Sequence, residues 1–245
     1  MATGRFYARQ DMVLAGVELL PLIFDMHSDL HSQAELQLLS ASGDSVARDN
    51  AVAKVRGAAR TLLECERVSL NFLQRLSGIA TLARRYVDAV AETRCQVLDT
   101  RKTTPGFRRV EKLATAAGGV TNHRMGLFDA VLIKNNHITA AGGIRAAIER
   151  FRGSDLPVEI EVRTRAELDE ALSASAKHVL LDNLTPKQAA AEIEYIAGRA
   201  TVELSGNINL QTVRAYALTG ADYVSAGAIT HQAQALDMNF RIELE

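Results

Sequence analysis

The 245-residue chain has almost no net charge, only two cysteines and no long apolar run, and each of these shortages removes a class of function. Its 28 Lys and Arg nearly balance 29 Asp and Glu, leaving a formal net charge of -1. With a sequence pI of about 6.6, no global field draws the protein to nucleic acid. Any basic character that matters must be focused in a cleft. Cys65 and Cys95 show neither a CxxC nor a metal-ligand spacing, which argues against a disulfide framework and for packed thiols in a reducing compartment. No apolar span reaches 18 residues, and MATGRFYARQ at the start lacks the apolar segment of a signal peptide. The expected location is the cytoplasm, with neither membrane nor nucleic acid as partner.

What the chain does have is hydrophobic content, at 47%, enough for one large α/β unit with a smaller companion. The first 55 or so residues mix alternating stretches such as RFYAR, an apolar helical run from Val13 to Phe24, and ELQLLSASGDSVA with a turn at Gly43-Asp44. From Ala58 to Val90, Leu62, Leu63, Leu70, Phe72, Leu73 and Leu76 recur at helical spacing. A break near Ser77-Gly78 predicts two consecutive helices. After Arg94 short apolar strands alternate with helical patterns: QVLDT (96–100), DAVLIK (129–134), VEIEV (158–162), HVLLD (178–182), TVELS (201–205) and YVSAG (223–227). The intervening helices are expected near 108–117, 140–151, 165–174, 186–197 and 209–218. Such alternation predicts βαβ units and a parallel sheet wound in one direction. The fold class is therefore α/β, an incomplete (β/α) barrel of six parallel strands, or seven if GGVTNH (118–123) adds one, with a smaller N-terminal α+β domain. The expected organisation is 1–90 for that domain and its linking helices, 91–230 for the barrel, and 231–245 for a C-terminal segment packing back on the first domain.

Barrel active sites lie at the C-terminal ends of the strands, so the residue closing each apolar run is the informative one. Those positions are Asp99 to Lys102, Lys134, Glu161, Asp182, Ser205 and Gly227. From Lys134 onward they are separated by 27, 21, 23 and 22 residues, about one βα unit each, and should converge on one mouth. Arg101, Lys102, His123, Arg124 and Lys134 form a cationic set suited to a multiply anionic ligand, Arg as a bidentate fork and Lys as a point charge. Glu161 and Asp182 carry the opposite sign. Beside an anion they suit a bridging Mg²⁺, which takes few protein carboxylates, or sugar hydroxyls. Ser205-Gly206-Asn207, read as leading into a helix near Leu210, and Ser225-Ala226-Gly227 place small residues where many barrels hold a phosphate.

DTRKTTPGFR (99–108), GGVTNHRMGLFDAVLIKNNHI (118–138), VEIEV, LLDN (180–183), ELSGNI (203–208) and DYVSAGAITH (222–231), with CERVSLNFLQRLSGIAT (65–81) before them, resemble the nicotinate-nucleotide pyrophosphorylase (carboxylating) family, also called quinolinate phosphoribosyltransferases. The resemblance is strong over about 58–240 and weaker before it. It implies phosphoribosyl transfer from phosphoribosyl pyrophosphate to quinolinate, with loss of CO₂ and pyrophosphate, giving nicotinate mononucleotide in de novo NAD synthesis. It implies Arg101, His123, Arg124 and Lys134 around the quinolinate carboxylates, and Lys102 near quinolinate and pyrophosphate. Glu161 and Asp182 would serve the ribose hydroxyls and Mg²⁺, and Ser205, Gly206 and Gly227 the 5-phosphate. Lys102, Lys134, Glu161 and Asp182 are the expected catalytic set. Arg67 is implied to reach the active site of a partner subunit, which makes a homodimer the minimal active unit. Family members usually begin with an acidic segment like ALxEDxGxGDxT some 40 residues before the part matching MATGRFYARQ, so the N-terminal domain is expected to be shortened.

Two other readings remain open on sequence. Lys134 at a strand end could form a Schiff base, as in an aldolase, and the chain could be an accessory relative, such as the molybdenum-transport-associated proteins that share the fold. Thr104 and His137 are read as a turn hydroxyl and a helix-capping imidazole, and Arg109 as surface. Arg108, on the first helical turn where the dipole disfavours cations, faces either the anionic ligand or solvent.

Overall fold

A computed structural model describes residues 1–27 and 34–245. The chain runs through β1 (Ala2–Ala8), β2 (Met12–Val13), α1 (Leu19–His27), β3 (Glu35–Leu38), β4 (Ser45–Val46), β5 (Ala51–Gly57) and the long α2 (Ala59–Val90). It continues as β6 (Gln96–Leu98), α3 (Arg108–Ala117), β7 (Val131–Ile133), α4 (Asn135–Ala141), α5 (Ile144–Glu149), β8 (Val158–Val162) and α6 (Arg165–Ser173). Then follow β9 (His178–Asp182), α7 (Pro186–Ile196), β10 (Thr201–Ser205), α8 (Val213–Ala217), β11 (Tyr223–Ser225), α9 (Ala228–His231) and β12 (Met238–Leu244).

These elements form two compact units, Met1–Arg85 with Thr103–Val120 and Ile229–Glu245, and Tyr86–Lys102 with Thr121–Ala228. The first holds an antiparallel sheet of order β12-β1-β5-β3 and the short β2-β4 pair. Alternation in β1 buries Ala2, Phe6 and Ala8, and these pack with Leu14, Phe24 and Val55 and with Leu62 and Leu73 of α2 into one apolar core. The apolar run after Val13 is a helix only from Leu19, because Met12–Val13 pairs with β4 and the chain turns at Gly16, whose φ is +90°.

α2 is one continuous helix of 32 residues and not two. Gly78 does not break it. A Cβ there would lie 2.0 Å from the Gln234 carbonyl oxygen, so glycine is present for close packing. Ser77 is fully buried and its hydroxyl accepts the Ala15 N–H at 3.1 Å, satisfying a polar group inside the helix contact. In the same unit, fully buried Glu111 on α3 accepts from Arg75 Nη2 (2.9 Å), Thr104 Oγ1 (2.8 Å) and Thr104 N (3.1 Å). Thr104 is thus tied to a buried carboxylate, and Arg108, half-buried, donates from Nε to Thr103 Oγ1 at 3.2 Å.

The second unit carries six parallel strands in the order β6-β11-β10-β9-β8-β7. Between the edges β6 and β7, GGVTNH contributes only an isolated parallel bridge, Leu98 to Thr121, so there is no seventh strand among the described residues. The reason is local. After Thr121 the His123 N–H and the Asn122 amide turn to the Asp99 carboxylate, at 2.8 and 2.7 Å, and leave the ladder. The result is an incomplete (β/α) barrel. Its βα turns carry ordinary helix starts: Thr164 caps α6 by accepting the Glu167 N–H, and Thr185 caps α7 in a capping box with Gln188, with Pro186 in the first turn.

Candidate active site

Register decides which side chains meet. Lys134 continues β7 beside Glu161 on β8, Glu161 pairs with Leu180, Leu180 with Glu203, and Asp182 with Ser205. Side chains alternate along a strand, so Lys134, Glu159, Glu161, His178, Asp182, Thr201, Glu203 and Ser205 occupy one face of the sheet. By this register Lys134 and Glu161 lie level with Leu180 and Glu203, while Asp182 and Ser205 lie two residues further along the same face.

On that face Lys134 Nζ stands 3.6 Å from Glu161 Oε2, and Asn135 Nδ2 donates to Glu161 Oε1 at 3.2 Å. Glu161 is buried, while the Lys134 side chain is about half exposed. His137 fixes the turn by accepting the Lys134 N–H on Nδ1 at 3.0 Å, a capping role for the imidazole. Asp182 Oδ2 accepts from Asn183 Nδ2 at 2.7 Å. Asn183 has φ +57° and its N–H donates to the Ser205 carbonyl, which ties the β9 and β10 ends together. Gly206, with φ +101°, is required by close approach, since a Cβ would fall 2.3 Å from Asn183 Oδ1. The helix after this loop begins at Val213 and not near Leu210, because Asn209 first closes a turn by accepting the Gln211 and Thr212 N–H groups on Oδ1. Gly227 lies half-buried immediately before α9.

Arg101 and Lys102 are exposed beyond β6, and the Lys102 N–H donates to Thr100 Oγ1. Arg124 donates from Nη1 to the Ala130 carbonyl at 3.0 Å. Burial, and then the positive charge of Arg101, hold its pKa below the usual guanidinium value, so the two cations feel each other's charge. The Arg67 side chain is exposed on α2 and makes no hydrogen bond or ion pair among the described residues.

His123 has a different environment from the other cations. Its Nε2 lies 3.5 Å from Glu159 Oε2 and 3.4 Å from Glu203 Oε2. A cavity of about 240 Å³ surrounds them, lined also by Arg124, His178, Thr201 and Tyr223. Burial lowers the imidazole pKa, but the hydrogen bonds to the two carboxylates outweigh it and raise it to about 9. Nδ1 already accepts the Arg124 N–H at 2.7 Å. A proton taken up by the group therefore sits on the carboxylate side, and burial raises Glu159 in the same direction. Strand ends alone do not reveal Glu159 and Glu203. Alternation does, because VEIEV sets Glu159 on the face of Glu161, and TVELS sets Glu203 on the face of Ser205. Fully buried Asp99, which anchors Asn122 and His123, stands in the sequence only as the closing residue of a strand.

Fold and site together define an incomplete (β/α) barrel whose strand ends carry Lys134 beside Glu161 and Asp182 beside Ser205. The model of the quinolinate phosphoribosyl transferase C-terminal domain matches residues 79–241, and that of the N-terminal domain matches residues 1–77. The chain belongs to the quinolinate phosphoribosyl transferase family. It is 39% identical to the rice (Oryza sativa subsp. japonica) chloroplastic nicotinate-nucleotide pyrophosphorylase (carboxylating), over all of this chain and 70% of that protein. It is also 39% identical to quinolinate phosphoribosyltransferase (decarboxylating) 1b of Nicotiana tabacum, over 99% of this chain and 74% of that one. The solved nicotinate-nucleotide pyrophosphorylase of Francisella tularensis superposes with a TM-score of 0.94 at 35% identity, covering 99% of this chain and 87% of that chain.

Proposed function

We propose that this chain transfers the phosphoribosyl group of phosphoribosyl pyrophosphate to quinolinate, with decarboxylation, giving nicotinate mononucleotide, pyrophosphate and CO₂ for NAD synthesis. The observation that carries the reading is the Arg101–Arg124 pair. The positive charge of Arg101 bears on Arg124 and, with burial, holds its guanidinium pKa down, and quinolinate brings two carboxylates that such cations would bind. Lys134, at the end of β7, supplies a further cation, and Lys102 one for pyrophosphate. Family membership over the whole chain supports the same substrate pair.

Departure of pyrophosphate from the anomeric carbon develops positive charge, which the Glu161 and Asp182 carboxylates stabilise electrostatically. The cations hold quinolinate with its ring nitrogen against that carbon, which supplies the orientation term. After transfer the ring nitrogen is quaternary and accepts the electrons released as CO₂ leaves, so the protein has only to hold that carboxylate in place. Ser205 and Gly206 after β10, and Gly227 after β11, are the small residues that would receive the 5-phosphate. Glu161 and Asp182 offer hard oxygen donors from neighbouring strands, a donor set that fits Mg²⁺. When bound, the ion would neutralise charge on the leaving pyrophosphate. The Schiff-base alternative gains nothing from the site, where Lys134 Nζ faces a carboxylate as an ion-pair partner.

The same reading makes the protein a homodimer, with Arg67 entering the partner's site. An exposed guanidinium without a partner among the described residues supports this. It also places the protein in the cytoplasm, where buried free thiols at Cys65 and Cys95 persist reduced. The test is formation of nicotinate mononucleotide by purified protein from quinolinate and phosphoribosyl pyrophosphate, with and without Mg²⁺. Absence of product together with absence of binding to either substrate would overturn the reading.

A further inference from the structure

Among the described residues, His123, Glu159 and Glu203 are the one group of three His, Cys, Asp or Glu side chains whose ligand-type atoms all lie within 4.8 Å of one another. None of the roles assigned at the strand ends uses the two carboxylates. Both are at least four-fifths buried, on β8 and β10. Their oxygens sit 3.5 and 3.4 Å from Nε2, at the outer reach of a hydrogen bond and also close to the edge of a tetrahedron around an ion with bonds of about 2.1 Å. A metal would need the Nε2 lone pair. The Arg124 N–H occupies Nδ1 at 2.7 Å, so in the neutral ring Nε2 carries the hydrogen and directs it at the carboxylates. The trio is a clamp on an imidazole, and the clamped imidazole in turn holds a peptide N–H.

That peptide group belongs to Arg124. On the other side of it, Asp99 Oδ1 accepts the His123 N–H at 2.8 Å, so two successive backbone N–H groups end on side chains. With Arg124 Nη1 on the Ala130 carbonyl, the guanidinium is held at its backbone and at its tip. The alternative tautomer, with hydrogen on Nδ1, would turn an N–H toward the Arg124 N–H and release the backbone hold.

We propose that Glu159 and Glu203 are positioning residues for Arg124: by accepting the Nε2 hydrogen they keep the His123 ring presenting Nδ1 to the Arg124 N–H, and so fix the guanidinium that meets the quinolinate carboxylate. The assignment rests on the reading of Arg124 as an anion-binding residue. It predicts that the interior of the barrel, two residues before Glu161 on β8 and before Ser205 on β10, controls affinity for one substrate only.

The test compares Glu203→Met, Glu203→Gln and the wild-type protein, each first shown by thermal melting to be folded. Glu203→Met removes the acceptor and should raise KM for quinolinate roughly tenfold or more while leaving KM for phosphoribosyl pyrophosphate within about twofold. Glu203→Gln keeps an amide oxygen for Nε2–H and should recover most of the affinity. In parallel, ¹⁵N NMR of the imidazole should show Nδ1 unprotonated in the wild-type and a shift toward the other tautomer in Glu203→Met. An unchanged quinolinate KM in folded Glu203→Met, an equal loss for both substrates, or a wild-type ring with hydrogen on Nδ1 would each overturn the proposal. So would a stoichiometric metal, found by elemental analysis of the wild-type and lost in the variant. The NMR readout needs no substrate, so it stands apart from the assay that tests the function itself.

Discussion

Lys134 Nζ and Glu161 Oε2 lie 3.6 Å apart across adjacent parallel strands, with the carboxylate buried and the ammonium group half in solvent. The pair is too exposed on its cationic side to matter much for folding, since such pairs contribute about 0–1 kcal/mol. Replacing Lys134 with Ala should therefore lower kcat/KM for quinolinate by roughly 10²-fold or more while thermal stability barely moves. Steady-state kinetics beside a melting curve decides this. Comparable losses in both would make Lys134 a structural ion-pair member.

Arg67 supplies a test of subunit sharing. Arg67→Ala and Lys134→Ala proteins should each be nearly inactive alone. When mixed and allowed to exchange subunits they should regain activity, up to about a quarter of the wild-type level, because a random half of the dimers then carry one intact site. No recovery in mixtures whose dimers are confirmed by ultracentrifugation would place Arg67 outside the partner's site.

Gly78 gives a prediction about stability alone. Its missing Cβ leaves room for the Gln234 carbonyl oxygen, so Gly78→Ala should destabilise despite the better helix propensity of Ala. Overpacking of this kind costs about 1–3 kcal/mol. Denaturant unfolding should show a lower midpoint; a midpoint at or above that of the wild-type would mean that the contact relaxes freely.

Strands whose apolar runs are bounded by turn chemistry were legible residue for residue, as VEIEV, HVLLD and TVELS show. Alternation puts Lys134, Glu161, Asp182 and Ser205 on one face of one sheet, but the register offsets Asp182 and Ser205 by two residues from Lys134 and Glu161, which spacing along the chain does not show. Ser77-Gly78 misled because local chemistry marks a break while the partner that needs the glycine, the Gln234 carbonyl, lies far along the chain. The start of α8 moved for the opposite reason, a turn closed by Asn209 within three residues. His123 shows the limit of reading charge from composition. As a cation in a cationic segment it belongs with Arg124, yet Glu159 and Glu203 reach it from strands that are neighbours only after folding.

The pairing of β12 with β1, from Ala2 opposite Leu244 to Ala8 opposite Met238, sets an order on synthesis as well as a sheet. Until Met238–Leu244 emerges from the ribosome, one edge of β1 has its N–H and carbonyl groups unmatched, while the parallel strands are already complete. A nascent chain stalled short of Met238 presents an open strand edge, which is what holdase chaperones and aggregation both select. Stability of the N-terminal sheet thus waits on residues translated after the whole parallel sheet.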